Sequence, residues 1–406
     1  MSGRRGGRRT GRQDRSGAAG AGGAAPPAAE PGVFFKIEKI AAFGFELGPI
    51  EFRRPRHFWR ALGLTLVPSA VVMGGLYFVF LHHPMESARA ALRIARYDTA
   101  LTRLKAIPDW LSGWPGLDSL REKAQLGDHL NTPPQDWSTL GQRLHELSAQ
   151  APADADLLVL EAALAIKGGD FSGAGKSLET AVTADPANAQ AWFLLGLVHD
   201  LTGEDGDAIA AYRRAVDLAP QSPQYRSNLA RTLLDGGAAD AAIEQYRQIS
   251  QFPLARIEQA LAHWARGEWG EAAEAQRAAL AMLDDAKLMD NPANRLGWRF
   301  ELRDQAPPNN GVQLASLADK RCYALLGQAV SRRLAGKPWV LPKCGSQEVA
   351  PLAIRRLVAD DLCRFVDHYQ PALKPAASAL RRALDQPVCA PPPAAGARSA
   401  GRLTQG

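Results

Sequence analysis

The 406-residue sequence is poor in residue groupings that carry chemistry. It has four cysteines. None of them forms a C-x-x-C pair, so zinc ribbons, dithiol redox pairs and haem attachment all lack their signature. Its eight histidines are scattered, with no H-E-x-x-H helix. No nucleophile elbow, Walker loop or dinucleotide fingerprint is present. The nearest approach is FSGAGKSLE at 171–179, which contains G-x-G-K-S but has Asp170 where Walker spacing needs glycine. No catalytic residue, cofactor or metal follows from the sequence, and the expectation is a protein that is not an enzyme.

Other absences are local. Residues 1–32 have no large apolar side chain after Met1. They cannot bury enough surface to offset the entropy of ordering, so the sequence predicts a disordered basic tail. Residues 1–60 hold 12 Lys and Arg against 5 Asp and Glu, whereas the rest of the chain holds 36 against 37. The body therefore lacks the charge excess of a nucleic-acid-binding domain. An arginine-glycine arm that binds RNA is one reading of the tail. A solvated tail near anionic lipid heads is the other, and the long uncharged run at 61–81 favours the second.

Between Arg60 and Glu86 there is no Lys, Arg, Asp or Glu. The run 61–81, ALGLTLVPSAVVMGGLYFVFL, has the length and character of a transmembrane helix, and Pro68 and the Gly74-Gly75 pair are tolerable inside one. Tyr77, His82 and His83 stand where an interface would be. A cleavable signal peptide would have a shorter charged region and a shorter apolar core. A buried soluble helix is the other alternative. Arg53, Arg54, Arg56 and Arg60 precede the run, so the positive-inside rule keeps the N-terminus cytoplasmic. The expected location is a bacterial inner membrane, with the bulk of the chain periplasmic. Residues 33–60 form the cytoplasmic juxtamembrane segment, where Phe34, Phe35, Phe43, Phe45 and Phe52 suggest an interfacial or docking piece.

What the sequence has in abundance is a ladder. Gly169, Gly203 and Gly237 recur every 34 residues, as do Ala174, Ala208 and Ala242, and Leu178, Tyr212 and Tyr246. Ala181, Ala215 and Ile249 keep the same interval, and Pro186 and Pro220 continue it. In the clearest unit Trp192, Leu195, Gly196 and His199 are followed by Ala208, Tyr212, Ala215 and Pro220. Gly196 and Ala208 thin the crossing of two antiparallel helices, while Trp192, Leu195 and Tyr212 fill the space beside it. Gly203 makes the turn and Pro220 ends the second helix. This stretch resembles the tetratricopeptide repeat family, whose pattern is W-x2-L-G-x2-Y, then A-x3-F, then P, on a 34-residue period. His199 stands where the family has Tyr.

The resemblance implies an all-α fold, a right-handed superhelix of stacked helix pairs, behind one N-terminal transmembrane helix and ahead of a helical C-terminal region. The expected array is 85–285, with clear repeats at 155–188, 189–222 and 223–256 and a short one at 257–285. Divergent pairs come before them. A linker is expected at 286–310, then a helical region at 311–388 and a disordered tail at 389–406. In the family the first helix of each pair lines a concave groove that takes extended peptides or partner helices. Carried onto this chain, the groove positions are Gln190, Phe193, Leu197, Asp200, Gln224, Ser227, Asn228 and Arg231, with Asn228 and Arg231 suited to a peptide carboxylate or backbone. The family's full Lys and Asn carboxylate clamp is not found here.

All four cysteines, Cys322, Cys344, Cys363 and Cys389, lie in the C-terminal region. An even count on the non-cytoplasmic side permits two disulfides in any of three connectivities, or buried thiols. The expected function is a membrane-anchored scaffold or adaptor that binds protein partners outside the cytoplasm, without nucleic acid. Envelope assembly, secretion or cytochrome maturation are its settings. The alternative is an accessory subunit of an enzyme complex, with the active part in the C-terminal helices.

Overall fold

A computed structural model describes residues 35–37, 40–42, 45–47, 50–52, 55–131, 137–290, 317–338, 340–344, 352–367 and 369–384. The expected tails at 1–32 and 389–406 lie outside these residues, as do most of the expected linker and Cys389. The chain divides into two units, Met1–Phe78 and Val79–Gly406.

The first unit holds four three-residue strands where sequence reading suggested only an interfacial piece. They are β1 (Phe35–Ile37), β2 (Ile40–Ala42), β3 (Phe45–Leu47) and β4 (Ile50–Phe52). β1 pairs antiparallel with β4 and β2 with β3, one ladder inside the other, in the register Lys36 opposite Glu51 and Ala41 opposite Glu46. The FKI and IEF strings alternate apolar and charged residues, which is the period of a strand. Helix α1 (Pro55–Tyr77) follows. It opens on a proline, whose fixed φ suits a first turn. Its apolar side chains, among them Leu64, Val67, Val71, Val72 and Met73, are exposed. Among the described residues one helix is long and apolar enough to cross a membrane.

The second unit, after a π turn at Phe78–His82, is all-α. Helices α2 (His83–Leu92) and α3 (Tyr97–Lys105) make a first hairpin. α4 (Leu117–Asn131) and α5 (Trp137–Gln150) follow. Four regular hairpins come next: α6 (Ala155–Gly168) with α7 (Phe171–Ala184), α8 (Ala189–Thr202) with α9 (Asp205–Leu218), α10 (Pro223–Asp235) with α11 (Ala239–Arg247), and α12 (Pro253–Arg266) with α13 (Trp269–Asp284). A short α14 (Ala286–Met289) ends that run. α15 (Leu317–Leu334) packs on α13 and α12, so it extends the stack beyond the last recognisable repeat. α16 (Leu352–Asp361), a second π segment (Leu362–Asp367) and α17 (Lys374–Ala383) complete the described chain.

The local chemistry repeats with the hairpins. Asp154, Asn188 and Ser222 each cap a first helix by accepting backbone N–H groups. Losing such a cap costs about 1 kcal/mol. Gly169, Gly203, Gly237 and Gly267 have φ between +74° and +86°. That left-handed conformation favours glycine and closes each hairpin. A Cβ on Gly196 would lie 2.7 Å from the Tyr212 ring, so the thin crossing anticipated at Gly196 is steric fact. In α4, Gly127 leaves room for the ring of Tyr97, which a Cβ there would meet at 2.3 Å.

Candidate interaction surfaces

The eight groove positions do not form an open trough. Phe193, Leu197, Ser227, Asn228, Arg231 and Gln190 are buried, and the Asp200 side chain is 6% exposed. Gln224 is half-buried. They lie on first helices α8 and α10, and most of their polar groups meet the chain's own residues in a seam, although Arg231 Nε is buried without a hydrogen-bond partner. The Tyr225 hydroxyl donates to Gln190 Oε1 at 2.8 Å, and the Tyr225 ring stacks on Phe193 with centroids 4.7 Å apart. Arg231 Nη2 donates to Asp200 Oδ2 at 2.7 Å and lies 3.4 Å from Asn228 Oδ1. Asn228 Nδ2 donates to the Gln224 carbonyl at 2.9 Å. The Ser227 hydroxyl donates to Glu258 Oε2 on α12 at 2.6 Å.

Electrostatics explains why this seam stays closed. Burial works against the Arg231 charge, but Asp200, then Asp235, Tyr212 and Glu258, outweigh it and raise the guanidinium pKa above its ordinary value. The cation is locked on. A buried cation with a buried carboxylate partner is costly to separate, because either group alone would be an uncompensated charge. Asn228 and Arg231, expected to hold a peptide carboxylate, instead hold Asp200 and the backbone of their own helix.

Two other segments of the chain reach this face. The α2–α3 turn supplies one. The Arg93 carbonyl accepts from Gln190 N at 2.8 Å, and Arg93 Nε donates to Asp185 Oδ2 at 2.8 Å. Tyr97, the first residue of α3, is buried, and burial followed by the nearby Asp156 raises its pKa beyond the ordinary phenol range. The C-terminal region supplies the other. Arg364 pairs with Asp235 at the end of α10. The Tyr369 hydroxyl lies 3.1 Å from the Leu234 carbonyl, and Gln370 Nε2 donates to the Ala265 carbonyl at 2.9 Å. Gln370 thus meets a carbonyl in the last turn of α12, while Tyr369 adds to the Leu234 carbonyl, which already accepts from Gly237 N. Sequence reading missed Arg93, Arg364, Tyr369 and Gln370, because contacts across such distances in the chain leave no local pattern.

An open surface lies further along. A cleft of about 820 Å³ runs between α12, α13 and α15. Arg256, His263, Arg277, Arg332 and Lys337 line it, opposed by Glu271 and Glu274. Arg256 is committed to the Ser250 carbonyl and Gln259, and Arg277 to Glu274. Arg332 and Lys337 are exposed. Beneath the cleft Trp264 Nε1 donates to Ser331 Oγ at 2.7 Å, and Ser331 Oγ lies 2.9 Å from Gln276 Oε1. That buried polar knot fixes α15 against the last hairpin.

Cys322 on α15 is bonded to Cys344. Cys363 is disulfide-bonded as well, and Cys389 lies outside the described residues. Among the described residues one His-carboxylate group, His199, Glu204 and Asp207, has ligand atoms within 4.8 Å of one another. His199 Nδ1 already donates to Glu204, and His263 Nδ1 donates to Glu268 at 2.7 Å in the equivalent turn of the last hairpin. The recurring pair is a turn closure, and the group is solvated.

The repeats at residues 159–223 and 206–255 match the tetratricopeptide repeat family. With the helix geometry this makes the repeat-bearing unit an all-α tetratricopeptide superhelix, a class of fold that binds protein partners. Over 56 residues the chain is 43% identical to the mouse protein O-mannosyl-transferase TMTC1, which is 14% of this chain and 6% of that one. The crystal structure of MamA is similar at 23% identity, over 43% of this chain and 95% of that one, with a TM-score of 0.35. That of TTC0263, a thermophilic tetratricopeptide protein in Thermus thermophilus, is similar at 24% identity, over 45% and 97%, with a TM-score of 0.32. At these scores the superpositions say nothing about fold, which rests on the repeat match and the hairpins.

Proposed function

We propose that this chain is a non-enzymatic scaffold, held in a membrane by residues 61–81, that presents its repeats to protein partners outside the cytoplasm. The carrying observation is the stack of tetratricopeptide hairpins in a chain that also has an exposed, uncharged run at 61–81 in a helix long and apolar enough to cross a membrane. The Cys322–Cys344 disulfide supports an oxidising compartment, and the arginines before the span support a cytoplasmic N-terminus. With that orientation the setting is a bacterial inner membrane with the body in the periplasm, in envelope assembly, secretion or cytochrome maturation.

The partner surface is the cleft between α12, α13 and α15 rather than the buried seam. Its exposed cations Arg332 and Lys337 suit an acidic partner segment, at a rim where charge sets orientation and rate of encounter. A photo-crosslinker at Arg332 in whole cells captures a protein, and one at Arg231 captures none. Loss of that product in the Arg332→Glu, Lys337→Glu double variant supports the cleft. Crosslinking from Arg231 with none from Arg332 would return the function to the first-helix face.

A further inference from the structure

We infer that the loop between α3 and α4, residues 106–116, is a second membrane contact that rests its tryptophans in the lipid headgroup layer. This rests on the membrane-anchored reading above and adds a surface to it. Among the described residues most of the large exposed apolar side chains lie at 59–80, in or beside the uncharged run. Outside that stretch they are Trp110, Trp114, Leu317 and Val340. Two of those four fall in one short loop, DWLSGWPG, with Trp110 68% exposed and Trp114 41%.

Topology then places the loop. α2 begins at His83, two residues after the uncharged run ends at Leu81. α3 packs antiparallel against it. The two helices have 10 and 9 residues, so each rises roughly 14–15 Å. The chain leaving α3 at Ala106 is therefore back at the level of His83. Chain connectivity alone brings that end of α2 to where a spanning helix would leave the bilayer.

The loop is also built to hold a fixed shape. Leu111 N donates to Pro108 O at 2.9 Å, Ser112 N to Asp109 O at 3.0 Å, Trp114 N to Leu111 O at 3.0 Å and Leu117 N to Trp114 O at 3.1 Å. Ile107 and Leu117 are buried at its two ends. A rigid, internally bonded loop that still exposes two indoles is not waiting to collapse into a core. Tryptophan suits the headgroup layer, because its ring is apolar and its N–H finds water or phosphate there. Arg103 and Lys105, exposed in the last turn of α3 beside the loop, add attraction for anionic headgroups.

The test uses the full chain in liposomes of phosphatidylethanolamine and phosphatidylglycerol. An environment-sensitive dye is placed at Ser112→Cys in the loop, Ser69→Cys in the span, or Ser250→Cys in a turn of the repeats. Brominated lipids and aqueous iodide are the two quenchers. The expected result is lipid quenching at positions 69 and 112, with position 112 shielded from iodide several-fold relative to position 250. The combined Trp110→Ser, Trp114→Ser variant loses the shielding at 112 while 69 is unchanged. Lipid quenching at 69 with full iodide access at 112 overturns the second contact and leaves the anchor standing. No lipid quenching at 69 overturns the anchor, and the second contact with it.

Discussion

Arg231→Met is the perturbation that probes the seam most sharply. The Arg231 side chain is 2% exposed and that of its partner Asp200 is 6% exposed, with the charged atoms 2.7 Å apart. Solvent screening at these exposures is slight, so the discount that applies to surface pairs does not apply here. Removing one member of a buried pair costs about 3–5 kcal/mol, mostly because the other charge is stranded. Replacing both with apolar residues is milder, since Asp200 is not stranded, although Asp235 and Glu258 still lose the offsetting Arg231 charge. The double variant Arg231→Met, Asp200→Leu should therefore be more stable than the single Arg231→Met. Global unfolding is a poor gauge, because repeat arrays do not behave as two-state units. Hydrogen exchange at the α8 and α10 amides of the full chain in detergent micelles reads the local opening free energy. A cost of about 3 kcal/mol corresponds to exchange faster by roughly a hundredfold. If Arg231→Met changes α8 and α10 exchange less than about fivefold, equivalent to roughly 1 kcal/mol, the seam is solvated and its residues are open groove positions after all. A double variant less stable than the single would show that stranding Asp200 is not the main cost.

Other substitutions have equally definite outcomes. Gly196→Ala drives a Cβ to 2.7 Å from the buried Tyr212 ring, and overpacking of this kind costs about 1–3 kcal/mol, seen as faster exchange in α8 and α9. Ala95 is the non-glycine residue with positive φ among those described, at +55°, so Ala95→Gly should stabilise the first hairpin by up to about 1 kcal/mol. Burial, set against Lys123, raises the Asp156 pKa above the usual carboxylate range. The folded state thus resists the Asp156 charge, and a neutral Asp156→Asn raises stability at pH 7. That gain fades as pH falls, because protonation relieves the same cost in the native chain. Burial works to raise the Glu268 pKa, but hydrogen bonds from His263 and Arg266 outweigh it and lower it. Its contribution is present above the unfolded carboxylate value and is lost as pH falls through the folded one. Glu268→Gln should accordingly flatten acid destabilisation of the last hairpin. Reducing Cys322–Cys344, which closes a sequence separation of 22 residues, should cost about 3 kcal/mol, read as selective loss of protection in α15.

The repeats were legible because each is a local device with a period. Gly169, Gly203 and Gly237 mark turns, Gly196 and Ala208 mark a crossing, and all of these stand where the sequence put them. The caps at Asp154, Asn188 and Ser222 keep the same 34-residue interval and were there to be read as well. The burial of the expected groove positions could not be read for a different reason. Outward-looking polar residues on a first helix carry no mark that distinguishes a solvated face from one covered by distant chain. Gln190 is covered by Tyr225 and the Arg93 turn, and α10 ends on Arg364 and Tyr369, more than a hundred residues away. The strands at 35–52 escaped because three-residue runs give periodicity too little length to register.

If the repeats stand across a membrane from the basic N-terminus, impermeant maleimide should label a Ser250→Cys chain in cells whose outer envelope has been opened but whose inner membrane is sealed, and should label a Ser16→Cys chain only after lysis. Labelling at position 250 that appears only after lysis would place the repeats on the same side as the N-terminus.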